Sequence, residues 1–104
     1  DPGMRDYYAW AKRWAPELNP DDSFVLAGYS YAMIVADLLR RCGSDVSRDN
    51  LMKQAASLKG YTTPLTLPGV TLDTGAADYL PYKALRLQHS DGASYRLIGD
   101  IVRE

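Results

Sequence analysis

The sequence predicts an α/β chain, on two main observations. Apolar residues recur at helical spacing through three successive segments between Asp1 and Leu58. The last part instead alternates apolar with polar around Asp91-Gly92, a turn signal. Between them, YTTPLTLPGVTLDTGAAD (61–78) is rich in Thr, Pro and Gly and reads as a long connection rather than a helix.

Asp1-Pro2 opens the first helix, because Asp is a good N-cap and Pro fits the first helical position. Met4, Tyr7, Tyr8, Ala11 and Trp14 then share one face, and Pro16 with Asn19-Pro20 stops the element, giving a helix over about 2–15. The second helix is expected over 23–42, with Arg40 and Arg41 in its last turn and Gly43 beyond it. Its entry, SFVLAGYSYA, has no carboxylate after Ser23, although a first helical turn favours negative charge. Apolar residues cover most of its circumference, which predicts burial on more than one side. Ser47 caps a third helix over about 48–58, with Leu51, Met52, Ala55 and Leu58 inward and Asn50 in place of the Glu of a capping box. One short strand is expected at 70–72 within the connection, and a hairpin pairs 84–90 with 94–102. Leu85, Leu87 and His89 fall on one face, and Tyr95, Leu97, Gly99 and Ile101 on another. A lone two-stranded hairpin is marginal and needs a sheet or helix to rest on.

Composition excludes several functions. The 104 residues suffice for one domain. Twelve basic residues offset thirteen acidic ones, for a net charge of -1, and no basic face of the kind nucleic acid needs is apparent. One cysteine, Cys42, and one histidine, His89, leave no basis for a disulfide, a metal motif or a Ser-His triad. No cofactor is expected, since LPGVTLDTGAAD has glycines without phosphate-loop spacing or a Lys. No apolar run approaches the ~20 residues of a bilayer span, and no signal peptide is apparent. A start at Asp1 fits a mature product or a fragment.

The blocks DP…YYAWAKRW, SFVLAGYSYAMIVADLLRRCG, SRDNLMKQAASL, LPGVTL and KALRLQHSDGASYRLIGDIV, in that order, resemble the C-terminal part of branched-chain-amino-acid-type substrate-binding proteins. These are periplasmic binding proteins of type I, the extracytoplasmic receptors of ATP-driven (ABC) importers. The resemblance covers nearly all of this chain, which would form about a quarter of such a protein. It implies two α/β lobes around a cleft, with residues 1–83 in the first lobe, the third chain crossing near 73–84, and 84–104 as a hairpin of the second lobe. The helices would pack on a parallel sheet, and the hairpin would join a host sheet from the remainder of the parent polypeptide.

The same resemblance implies that the entry to the second helix faces the ligand. Phe24 matches a family position whose ring contacts the ligand, and Tyr29 the tyrosine common at this helix start. Gly28 would let the helix approach a neighbour closely. Ser30 stands where most relatives have Asp. Phe24, Gly28 and Tyr29 are thus the candidate ligand-binding residues, set against ordinary core packing of the two rings. Tyr7, Tyr8, Trp10 and Trp14 read as core or interface, Ser30 and Tyr31 as solvated or capping hydroxyls, and Asp21, Asp22, Asp45 and Asp49 as caps. Cys42 reads as a small buried hydrophobe.

With no nucleophile–base pair or metal set, the expectation is a binding protein rather than an enzyme. Its partners would be a small-molecule ligand and a membrane permease, in the periplasm or another extracytoplasmic, membrane-associated setting. A ligand-sensing regulator of the same fold is the alternative, and an independent helical interaction domain a third. The exposed apolar faces of a fragment also favour a homodimer.

Overall fold

The computed structural model describes residues 1–104. It contains three helices followed by a two-stranded antiparallel sheet: α1 (Pro2–Trp14), α2 (Ser23–Cys42), α3 (Arg48–Ala55), β1 (Ala84–Ser90) and β2 (Tyr95–Arg103). The chain is therefore mixed helix and strand, in the expected order. It divides into two compact units, Asp1–Ala55 with Thr63–Leu65, and Ala56–Thr62 with Thr66–Glu104.

In the first unit the Asp1 carboxylate accepts hydrogen bonds from the Gly3 and Met4 amides and caps α1. Gly3 is buried because residue 64 passes over it. A Cβ there would lie 2.7 Å from the Pro64 carbonyl carbon and closer still to its oxygen. Tyr7 and Ala11 face inward as expected, but Trp14 is exposed, with the Arg13 guanidinium 4.8 Å above its ring. Trp10 takes the inner place and stacks on Tyr7 at 6.3 Å. Helical spacing alone could not separate these two tryptophans, four residues apart.

Asp22 caps α2 by accepting the Phe24 amide at 2.8 Å, so the missing first-turn carboxylate is supplied one residue earlier. Gly43 ends the helix at φ 60°, where a side chain would be strained. α2 packs against α3. Asn50 ties the connection: its side-chain amide donates to the Asp45 carbonyl at 2.7 Å and the Cys42 carbonyl at 3.4 Å, while its backbone amide donates to Ser47 Oγ. Of α2, only Leu38 and Cys42 are buried. Its 20 residues include a stretch of mean hydropathy 1.2, which corrects the expectation that nothing here approaches a membrane span by length and composition. That expectation sought an unbroken apolar run, whereas Ser30 and Asp37 are averaged out along the helix. Core helices and signal sequences reach the same value.

The second unit is built on its loop. α3 stops at Ala55 rather than near 58, because Leu58 turns to face Thr74. The Leu58 amide donates to Thr74 Oγ1 at 2.9 Å, and the Thr74 amide donates to the Leu58 carbonyl at 3.0 Å. Met52, expected inward, is exposed. The short strand expected at 70–72 is present only as bridges from Leu72 to Tyr61 and Tyr82. Leu58, Tyr61, Val70, Leu72 and Ala84 form this unit's core, with Leu72 1% exposed.

In the hairpin Asp91 N–H donates to the Ser94 carbonyl, and the Asp91 carboxylate accepts from the Ala93 and Ser94 amides. The regular alternation expected of β2 fails in its middle. Leu85 pairs with Val102 but Leu87 with Ile98, so Gly99, Asp100 and Ile101 bulge opposite Arg86. Gly99 adopts φ 64°, and Arg86 Nε donates to its carbonyl at 3.2 Å. Leu97 and Ile98 pair in regular register with Gln88 and Leu87 and so point to opposite faces, yet both are 41% exposed, because neither face of the hairpin is covered there.

Each unit leaves apolar side chains uncovered: Phe24, Tyr31, Val35 and Leu39 on α2 of the first, and Leu85, Leu87, Tyr95, Leu97, Ile98 and Val102 on the hairpin of the second.

Candidate functional site

The first unit concentrates its aromatic side chains where α1 meets the start of α2. Tyr29 lies 5.2 Å from Tyr7 and 4.8 Å from Trp10, both rings tilted. Tilted contacts of this kind suit the ring quadrupoles and add to simple burial. The loop joining the helices is tied to the same cluster. Tyr7 Oη donates to the Pro20 carbonyl and Tyr8 Oη to Asp21 Oδ1, each at 2.8 Å. Burial, followed by the charges of Asp21 and Asp22, pushes the Tyr7 phenol above its ordinary pKa. For Tyr8 the hydrogen bond to Asp21 is the leading cause of a similar rise.

The three candidate ligand residues are separated by this packing. Tyr29 is half-buried and engaged by α1. Phe24 projects outward and is 86% exposed, and Gly28 faces open space on the same side. The close neighbour expected at Gly28 is therefore not supplied by this chain: a Cβ placed there would meet nothing within 4 Å. Tyr31 shares the outer side, one turn further on.

A second feature was not singled out from the sequence. A cleft of about 370 Å³ is lined by Tyr8, Ala11, Lys12, Ala15, Pro16, Leu18 and Pro20. Its volume falls within the range of small-molecule sites, and its walls are apolar except for the Lys12 ammonium and the Tyr8 hydroxyl. The signal in the sequence was weak, since prolines at 16 and 20 read as helix stops rather than as walls.

Elsewhere, Asp22 and Asp45 act through backbone amides, as their positions suggested. The Asp45 carboxyl is held below its usual range by its hydrogen bonds from Ser47. Asp21 instead receives the Tyr8 hydroxyl. Cys42 is buried and His89 exposed on β1. No three His, Cys, Asp or Glu side chains converge as a metal site would require. The groups presented by the cleft and the entry to α2 are apolar and aromatic surfaces with a few hydrogen-bonding atoms, among them the Lys12 ammonium and the Tyr8 hydroxyl.

No family model, curated protein or solved structure matches this chain.

Proposed function

We propose that these residues form the C-terminal part of the solute-binding component of an ABC importer. In this reading the intact protein closes two lobes around a small amino-acid-like or aromatic carboxylate ligand outside the cytoplasm and delivers it to a membrane permease. The observation that carries the reading is the hairpin. It is two-stranded, both outer edges lack a strand neighbour, and Leu85, Leu87, Tyr95, Leu97, Ile98 and Val102 are exposed on it. Such an element is marginal alone and is completed by a host sheet, which the remainder of the parent polypeptide would provide. The five ordered blocks of resemblance supply the family.

Within this reading Phe24 is the ligand-facing ring, for its exposure leaves it available to a cleft. Tyr29 serves differently: held by Tyr7 and Trp10, it fixes the entry of α2 on α1. Calorimetric titration of the natural polypeptide carrying this chain, against branched-chain amino acids, their amides and aromatic acids, tests the proposal. Saturable one-to-one binding by a member of this panel, weakened by Phe24→Ala, is expected. Failure of the whole panel refutes it, as does sub-micromolar binding by residues 1–104 alone, since the remaining ligand contacts would come from the rest of the molecule.

A further inference from the structure

The cleft beside α1 plays no part in the solute-binding reading, yet its walls and its charge are both defined. Tyr8, Ala11, Lys12 and Ala15 stand at i, i+3, i+4 and i+7, so one face of α1 and its C-cap supplies them all. Ala11 and Ala15 are 2 and 7% exposed and form the floor. Their two methyls leave about 370 Å³ open where larger side chains would have filled it. Tyr8 and Leu18, 42 and 44% exposed, rise beside that floor together with Pro16 and Pro20.

The far wall is held in place rather than free to fold over the floor. The Ala15 amide donates to the Ala11 carbonyl at 2.9 Å, and the Leu18 amide to the Ala15 carbonyl at 3.0 Å. Asn19 accepts the Asp22 amide on its carbonyl and the Asp21 amide on Oδ1, and the Tyr7 hydroxyl fixes the Pro20 carbonyl. Each proline ring locks its own φ as well. A concavity formed in advance spares a ligand the cost of ordering it.

Two polar groups reach this apolar space. Lys12 makes no hydrogen bond or ion pair within the chain, so its ammonium is available to an anion. The Tyr8 hydroxyl has given its hydrogen to Asp21, which sets a carboxylate at that side of the cleft. One negative charge is therefore favoured at Lys12 and a second is disfavoured near Tyr8. A flat apolar body suits the alanine floor and the Tyr8 ring. We propose that the cleft binds a small aromatic monocarboxylate, its ring over Ala11 and Ala15 and its carboxylate on Lys12. This site is independent of the interlobe site proposed for Phe24. Every residue lining it lies in the first unit, and none was assigned to that ligand.

NMR of the natural polypeptide carrying this chain, isotope-labelled at its alanine methyls, tests the proposal with naphthylacetate as the probe. Saturable shifts of the Ala11 and Ala15 methyls are expected. The Kd should be on the order of 100 μM, as suits a ligand of about a dozen heavy atoms. The neutral naphthylacetamide should bind at least about threefold more weakly, and Lys12→Met should weaken the acid by about as much. Leu18→Ser, at an exposed wall, should weaken acid and amide alike by about threefold or more. Phe24→Ala should change none of these values. No shift at millimolar probe, an amide as tight as the acid, or parent affinity in Lys12→Met or Leu18→Ser would each overturn the proposal. So would methyl shifts that Phe24→Ala abolishes, since they would report the interlobe ligand. Failure of interlobe binding with the Ala11 and Ala15 shifts intact would refute the solute-binding reading and leave this site standing.

Discussion

Thr74→Val isolates the interaction that organises the second unit. Thr74 is 7% exposed, and its hydroxyl accepts the Leu58 amide at 2.9 Å where that amide has left helical pairing. Valine keeps the branched shape and removes the acceptor, so the Leu58 N–H stays in place, buried, with its partner gone. The cost of stranding a buried donor is about 1–3 kcal/mol, larger than the net worth of a typical hydrogen bond. Thr74→Ser retains the hydroxyl and loses one methyl, a cost of about 1 kcal/mol. Amide hydrogen exchange is the appropriate assay, because both tryptophans lie in the other unit and fluorescence would report the wrong transition. Exchange at Leu58, Tyr61 and Leu72 should accelerate about five- to a hundredfold in Thr74→Val and much less in Thr74→Ser. Equal acceleration in the two variants would show that the methyl, and not the hydrogen bond, holds the loop. No acceleration in either would remove the Leu58–Thr74 pair from its organising role.

Other perturbations have equally direct readouts. Gly3→Ala should destabilise the first unit by about 1–3 kcal/mol in urea denaturation followed by tryptophan fluorescence, because its Cβ would collide with the Pro64 carbonyl. A stabilised variant would mean that helix propensity wins and the Pro64 contact yields. Asp73 is held below its usual carboxylate range first by the Gly60 amide and then by the Thr71 hydroxyl. Asp78 is held down first by Lys83 and then by the Leu80 amide. Depressed carboxyls stabilise fully above their unfolded pKa, near 3.9, and this is lost as pH falls through the folded values. Circular dichroism in acid should therefore show the second unit weakening below about pH 4, a dependence that Asp73→Asn and Asp78→Asn together should flatten. Tyr7 and Tyr8 have raised pKa values, so their contribution is complete below the unfolded value near 10 and lost as pH rises beyond it. Spectrophotometric titration should find two late-ionising phenols, and Asp21→Asn should advance Tyr8 more than Tyr7.

Local chemistry in the sequence was sufficient for the helix starts and the turn. Asp1-Pro2, Asp22, Ser47, Gly43 and Asp91-Gly92 each satisfy or relieve a backbone group within a few residues, so their consequences could be read without knowing what lay across the fold. The order of elements followed from apolar periodicity for the same reason. Tertiary contacts decided the rest. Trp10 rather than Trp14 entered the aromatic cluster because Tyr29 arrived beside it, and α3 ended early because Thr74 claimed the Leu58 amide. Leu97 and Ile98, on opposite faces of the hairpin, are both in solvent because nothing covers either face there, and the empty space at Gly28 emerged only when α2 was placed. Caps and turns are short-range events encoded by a few neighbouring residues. Which face is covered, and by what, depends on partners distant in the chain, and periodicity carries no information about them.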